Sequence, residues 1–247
     1  MSKKKFCLIT GAGSGIGQAA AQKFSESGYE LILVGRSREK LKATAHELKG
    51  PSYPLACDLA QGEQVEQLGQ QVLHLLKDSQ GHLKVLVNNA GVFDRTSFLQ
   101  SSDEYWQHHF QNNLMSAVRL TRALFEPLKE AQAHVLNVSS TLGLRPVAET
   151  SAYSAMKAAM VNWTQSLALE WAPHQIRVNA LAPGLIETPM HQHLLVQPEI
   201  KAQMQELQPL KRMGRPQEIA EAIYFLCSPA SEWTTGSVLS VDGGIHL

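Results

Sequence analysis

The sequence predicts an α/β protein built on an open parallel sheet, and three features predict it. Short apolar runs alternate with amphipathic, helix-spaced segments along the 247 residues. One run, Leu31-Ile32-Leu33-Val34, is apolar at every position, which suits a strand covered on both faces. The residues best suited to chemistry fall at the ends of predicted strands or just beyond them, where ligands bind in open α/β sheets.

Taken in order, Phe6 to Ile9 is the first strand and feeds Thr10-Gly-Ala-Gly-Ser-Gly-Ile-Gly17. Ile16, Ala20 and Phe24 then recur at helical spacing. Glycines at 11, 15 and 17 allow a tight turn and close backbone approach to a pyrophosphate, which the helix N-terminus favours. The spacing is G-x-x-x-G-x-G, not the G-x-G-x-x-G of the general dinucleotide fingerprint. The second strand ends at Gly35-Arg36, with Arg36 19 residues after Gly17. An NAD-binding unit would carry a carboxylate there, an NADP-binding one a basic group.

Tyr53 to Cys57 is the third strand, ending in Asp58-Leu59, and Val65, Leu68, Val72, Leu75 and Leu76 mark an amphipathic helix. The fourth, Leu83 to Val87, runs into Asn88-Asn89-Ala90-Gly91, whose small residues admit a ligand while the amides could equally tie neighbouring strands together. Ser102 to Leu128 reads as one helix containing Asn113, and His134 to Val138 as a fifth strand ending at Ser139-Ser140. A loop from Thr141 to Ala152 leads into the helix of Tyr153. Ile176 to Leu181 is the sixth strand, broken by Pro183-Gly184. Residues 188–211 are polar and helix-prone and read as a mobile lid. Ile219, Ile223, Leu226 and Cys227 form a further helix face, and Val238 to Val241 the last strand.

Tyr153 and Lys157 stand four apart, so both leave the same face of a helix. An ammonium beside a phenol favours the phenolate, and moving the pKa by about 3 units takes roughly 4 kcal/mol. The pair would be a general acid/base for an alcohol or carbonyl. The spacing alone also fits a surface tyrosine beside a solvated lysine; its company decides the matter.

Hydrophobic content of 44% and charged content of 18% are those of a soluble globular chain. The 22 basic and 22 acidic residues cancel, which argues against nucleic acid or an anionic membrane as partner. No apolar run is long enough to span a bilayer. Cys7, Cys57 and Cys227 are far apart, without C-x-x-C spacing, and read as reduced thiols of a cytoplasmic protein. His191-x-His193 lacks a third ligand at a usual spacing, so no metal is expected.

With Thr10 to Gly17, Asp58, Asn88 to Gly91, Asn113, Ser140, Tyr153-x-x-x-Lys157 and Pro183-Gly184 in this order, the chain resembles the short-chain dehydrogenase/reductase family over essentially its whole length. Arg212 to Ile219, Val241 to Gly244 and Ile186 to Met190 look most like its β-ketoacyl carrier-protein reductase branch. The resemblance implies a single Rossmann-like domain over residues 1–247, with a seven-stranded parallel sheet in order 3-2-1-4-5-6-7. It implies that Tyr153 exchanges a proton with substrate, that Lys157 lowers its pKa and holds the nicotinamide ribose, and that Ser140, 13 residues before Tyr153, binds the substrate oxygen. Asn113 would anchor a water leading from Lys157 to solvent. Cofactor contacts would come from Gly11, Ser14, Gly15, Ile16, Gly17, Arg36, Asp58, Leu59, Asn89, Ala90, Gly91, Pro183, Gly184, Ile186 and Thr188.

Two departures qualify the likeness. Ser14 stands where NADP-dependent members often carry a base, and Pro189 where carrier-protein reductases often have Asp. Arg36, with Ser37 as a further donor, nevertheless favours NADP(H), with NAD(H) possible. Leu142, Leu144, Val147, Ala148, Met190, Leu194 and Leu195 predict an apolar pocket for a ketone or acyl chain. Other small alcohols, sugars or steroids, and a nucleotide-binding sensor or scaffold without turnover, are the rival readings. Apolar positions on the helices at 102–128 and 153–171, Trp106, Trp163, Leu167 and Trp171 among them, would pair as family members do, in a homotetramer.

Overall fold

Seven parallel strands form one sheet in the order β3-β2-β1-β4-β5-β6-β7, in a computed structural model that describes residues 3–191 and 196–247. They are β1 Lys4–Thr10, β2 Glu30–Gly35, β3 Ser52–Ala56, β4 Gly81–Asn88, β5 His134–Val138, β6 Arg177–Pro183 and β7 Val238–Val241. The chain winds outward from β1 to β3, then returns to place β4 on the other side of β1. Connections therefore leave β1 and β4 in opposite directions, opening a crevice at their carboxyl ends.

The period of two along each strand sorts its side chains into two cores. Phe6, Leu8, Ile32 and Val34 face a layer made by α3 Gly62–Ser79, α5 Ser116–Ala123, α6 Phe125–Ala131 and α7 Ser151–Trp171. Cys7, Ile9, Leu31 and Leu33 face a layer dominated by α1 Gly15–Glu26 and α9 Pro216–Cys227. The unbroken apolar run from Leu31 to Val34 in β2 is thus what double coverage requires. Cys7, Cys57 and Cys227 are free and buried; burial pushes Cys57 up to about 11 and Cys227 up to about 12, so all three remain thiols.

Two expectations are corrected. The helix expected over 102–128 is interrupted: α4 Asp103–Phe110 passes into a π-helical turn, Gln111–Met115, before α5, and the chain restarts as α6. Pro127 has no N–H for the carbonyl of Ala123, which accounts for the second break. Trp163 and Trp171 pack against the first core and Leu167 is buried in it, so α7 uses much of its apolar surface internally. Within 188–211 lie a 3-10 turn, Pro189–His191, and α8 Pro198–Glu206, which starts at a proline. His193, Leu194 and Leu195 lie outside the described residues.

Candidate functional site

The glycine turn is built for close approach. A Cβ on Gly17 would lie 2.2 Å from the Gly11 carbonyl oxygen and 2.7 Å from Asn89 Nδ2. Thr10 fastens this turn to the end of β4: its Oγ1 accepts from the N–H groups of Asn89 and Ala90, each at 2.9 Å, and Asn89 Nδ2 donates to its carbonyl at 2.8 Å. Ser14 precedes α1 without capping it through its side chain. The first-turn N–H groups and the helix dipole therefore face the crevice, an arrangement suited to a pyrophosphate.

The crevice opens into a cavity of ≈ 820 Å³. Every residue expected to hold the cofactor lines it except Gly17, which packs beneath the turn. At the β2 end, Arg36 lines the wall together with Lys40. Lys40 is a second cation that sequence reasoning missed, standing beside Gly13, where a Cβ would meet its stem at 2.9 Å. Ser37, expected as a donor, is committed elsewhere: it caps α2 Arg38–Glu47 by accepting from Lys40 N at 3.3 Å and donates to Glu39 Oε2 at 3.0 Å. Asp58 Oδ1 accepts from Ala60 N at 3.1 Å, fixing its turn.

The asparagines at the strand ends brace the sheet. Asn88 Nδ2 donates to Thr121 Oγ1 and Asn137 Oδ1, and Asn137 Nδ2 to Thr164 Oγ1, all at 2.9 Å. Asn89 and Ala90 also bond to Thr10, and Asn89, Ala90 and Gly91 line the cavity.

Tyr153, Lys157 and Ser140 meet at the carboxyl end of β5. Tyr153 is buried, and burial pushes its hydroxyl up to about 12, opposed by a hydrogen bond with Ser140. Burial also brings Lys157 down to about 8. Lys157 Nζ donates to the Val138 carbonyl at 2.8 Å and sits 5.8 Å from the Tyr153 ring centre. Ser139 and Ser140 both line the cavity but differ in partner, since Ser139 Oγ donates to the Lys157 carbonyl at 2.9 Å while Ser140 hydrogen-bonds Tyr153.

Asn113 is fully buried in the π-turn and lies behind the cavity wall, its Oδ1 accepting from Val92 N at 2.8 Å. Gly91 makes the approach possible, because a Cβ there would come within 2.7 Å of Asn113 Oδ1 and 3.7 Å of Lys157 Nζ.

Of the residues expected to form an apolar pocket, Leu142, Val147 and Met190 line the cavity, whereas Leu144 and Ala148 do not. Four residues of one helical stripe, Ile200, Gln203, Met204 and Leu207, were missed although their spacing is legible, as were Arg95, Ile245 and Phe93, whose ring meets Tyr153 edge-on at 4.9 Å. Ile186 is held in place by a bridge to Gly214. Nearby, Arg212 forks onto Glu218 at 2.8 and 2.6 Å. Among the described residues no group of three or more His, Cys, Asp or Glu could hold a metal ion, and no helix is long and apolar enough to cross a membrane.

The family described as Enoyl-(Acyl carrier protein) reductase matches residues 11–246. The 3-oxoacyl-[acyl-carrier-protein] reductase of Thermotoga maritima is 36% identical, covering 98% of each chain. Protein FixR of Bradyrhizobium diazoefficiens is 37% identical over 98% of this chain and 87% of its own. The crystal structure of 3-ketoacyl-(acyl-carrier-protein) reductase from Brucella melitensis complexed with NADH superposes with a TM-score of 0.91 at 31% identity, covering 99% of both chains.

Proposed function

Because the chain belongs to the short-chain dehydrogenase/reductase family and is a nicotinamide-dependent oxidoreductase of that family, we propose that it reduces 3-oxoacyl thioesters or related apolar ketones to secondary alcohols, with NADPH preferred. The observation that carries this is the meeting of Tyr153, Ser140 and Lys157 in one cavity with the glycine turn and an apolar opposite wall. A free sugar would find few hydroxyl partners on Leu142, Val147, Met190, Ile200 and Met204.

The glycine turn and α1 would hold the pyrophosphate, Arg36 and Lys40 a 2′-phosphate, and Asn89 to Gly91 with Pro183 to Thr188 the nicotinamide half. When bound, the nicotinamide supplies the hydride. Tyr153, neutral up to about 12, is the group that gives its proton to the developing alkoxide. Ser140 donates to the same oxygen and fixes it within reach. Lys157, close to neutrality in its own titration, is suited to restoring the tyrosine's proton. Asn113 stands behind Gly91 on the path from Lys157 outward.

The cofactor preference rests on two cations at the end of β2 and on the absence of a carboxylate at Arg36. We assign residues 188–211 as a lid, since Met190, Ile200, Gln203, Met204 and Leu207 all face the cavity. Exposed Leu169, Phe225 and Trp233 support assembly as a homotetramer, for which light scattering is the check. A single domain over 1–247 in the cytoplasm completes the reading.

The test is turnover of NADPH and NADH with an acetoacetyl thioester, aliphatic ketones and glucose. Activity should be greatest on the thioester or a ketone with NADPH. Tyr153→Phe should lower kcat by at least about 10²-fold with cofactor binding nearly unchanged. Nucleotide binding without turnover on any carbonyl would instead identify a sensor.

A further inference from the structure

His109 lies outside the set of residues assigned above, yet it is fully buried beside them. It occupies the last turn of α4, four residues before Asn113, and touches two polar groups. Its Nε2 is 2.8 Å from Asp94 Oδ1, and its Nδ1 is 2.9 Å from Asn113 Nδ2. Asp94 is half exposed, with 53% of its side chain accessible, so the contact runs from the protein surface to the back of the cavity.

The direction of each bond follows from one fact. Val92 N–H points at Asn113 at 2.8 Å and can be accepted only by the amide oxygen. The amide nitrogen therefore faces His109 and donates to it, so Nδ1 must present a lone pair. Nε2 then carries the ring proton and donates it to the Asp94 carboxylate. We propose that His109 is a positioning residue that fixes the orientation of the Asn113 amide, with Asp94 holding it in the only neutral tautomer able to do so.

A second proton on His109 breaks this arrangement. It would set an Nδ1–H against the amide N–H, and turning the amide over would set its NH₂ against Val92 N–H. The charged and titratable groups around the ring are the Asp94 carboxylate, which favours that proton, Tyr105 at 4.6 Å and His108 at 6.0 Å on α4, and Tyr153 of α7 at 6.2 Å. Loss of the His109 bond should thus displace Asn113 and slow turnover. That consequence rests on the carbonyl-reductase reading; the tautomer does not.

The primary test is long-range ¹H–¹⁵N NMR of histidine-labelled protein, with His109→Phe used for assignment. A neutral ring protonated at Nε2 at pH 8 is expected. The Nδ1–H tautomer, or an imidazolium at that pH, would overturn the proposal. In kinetics on the ketone substrate, His109→Phe should lower kcat about tenfold, the cost of an unpartnered buried amide, while KM for the cofactor holds. His109→Asn, whose side-chain oxygen falls near Nδ1, should recover most of kcat. Wild-type kcat in His109→Phe would refute the positioning role even with the tautomer as expected. Should His109→Phe not fold, the wild-type spectrum, assigned through Asp94→Asn, decides the question. A protein that turns over no carbonyl refutes the functional reading and leaves the spectrum to judge the tautomer.

Discussion

Where β1, β4 and β5 end, side-chain polar groups are tied to protein: Thr10 to Asn89, Asn88 to Thr121 and Asn137, Asn137 to Thr164. Across the cavity the wall comes from the loop after Ser140 and from the segment carrying Met190 and α8, and its side chains are apolar and partly wet. Val147, Met190 and Leu207 are 49%, 40% and 66% exposed. The first wall gains its order from buried side-chain hydrogen bonds that hold only one geometry. The second holds few such bonds and can adjust to what it covers. Under the proposed function, chemistry would sit on the rigid wall and selection on the yielding one.

The deepest break of this comparison is Lys157→Met. Turnover should fall by more than about 10²-fold and cofactor binding should weaken, while stability at pH 7 should rise. The sign follows from burial, which lowers the folded pKa from 10.5 to about 8. Below about 8 both folded and unfolded chains hold the proton and the full cost of burying it is present. Between about 8 and 10.5 only the unfolded chain holds it, so wild-type stability rises with pH and the variant's advantage disappears. At about 1.4 kcal/mol per unit the advantage is up to about 3 kcal/mol, read from urea unfolding across that range.

Asn88→Ala should do the reverse. It leaves Asn137 Oδ1 without its donor in the interior and should cost about 1–3 kcal/mol. Thermal unfolding should shift downward while kcat stays within about twofold of wild type. A large loss of kcat with unchanged stability would mean that the rigid wall is not separable from the chemistry.

Arg36→Asp probes the exposed end of the cavity, where little is tied down. The ratio of kcat/KM for NADPH over NADH should fall by about tenfold or more, as a carboxylate repels the 2′-phosphate and accepts from the ribose hydroxyls. A wild type that prefers NADH would place Arg36 away from the ribose.

Glu218→Gln should have the smallest effect. The Arg212 hydrogen bond, helped by the Arg215 backbone N–H, holds the Glu218 carboxyl at about 2 against an ordinary 4.5. Its contribution is present above about 4.5 and is lost as pH falls toward 2. The variant should therefore melt slightly lower at pH 7 and converge with wild type near pH 2.

Much of the rigid wall was legible in the sequence because its signals are local. Glycines at 11, 15 and 17 are dictated by the turn, the unbroken apolar run of β2 by burial on both faces, and the four-residue step from Tyr153 to Lys157 by the helix that presents them. Tertiary structure decided which partner each polar group takes. Asn88 meets Asn137 across 49 positions of sequence, and Asn89 meets Thr10 across 79. Lys157 gives its hydrogen bond to Val138, Ser37 is consumed by its own helix cap, Lys40 joins Arg36, and His109 closes on Asn113 through a π-turn that periodicity does not announce. A side chain's residue type states what it can donate or accept, while its partner and the water it loses depend on where distant segments of the chain come to rest.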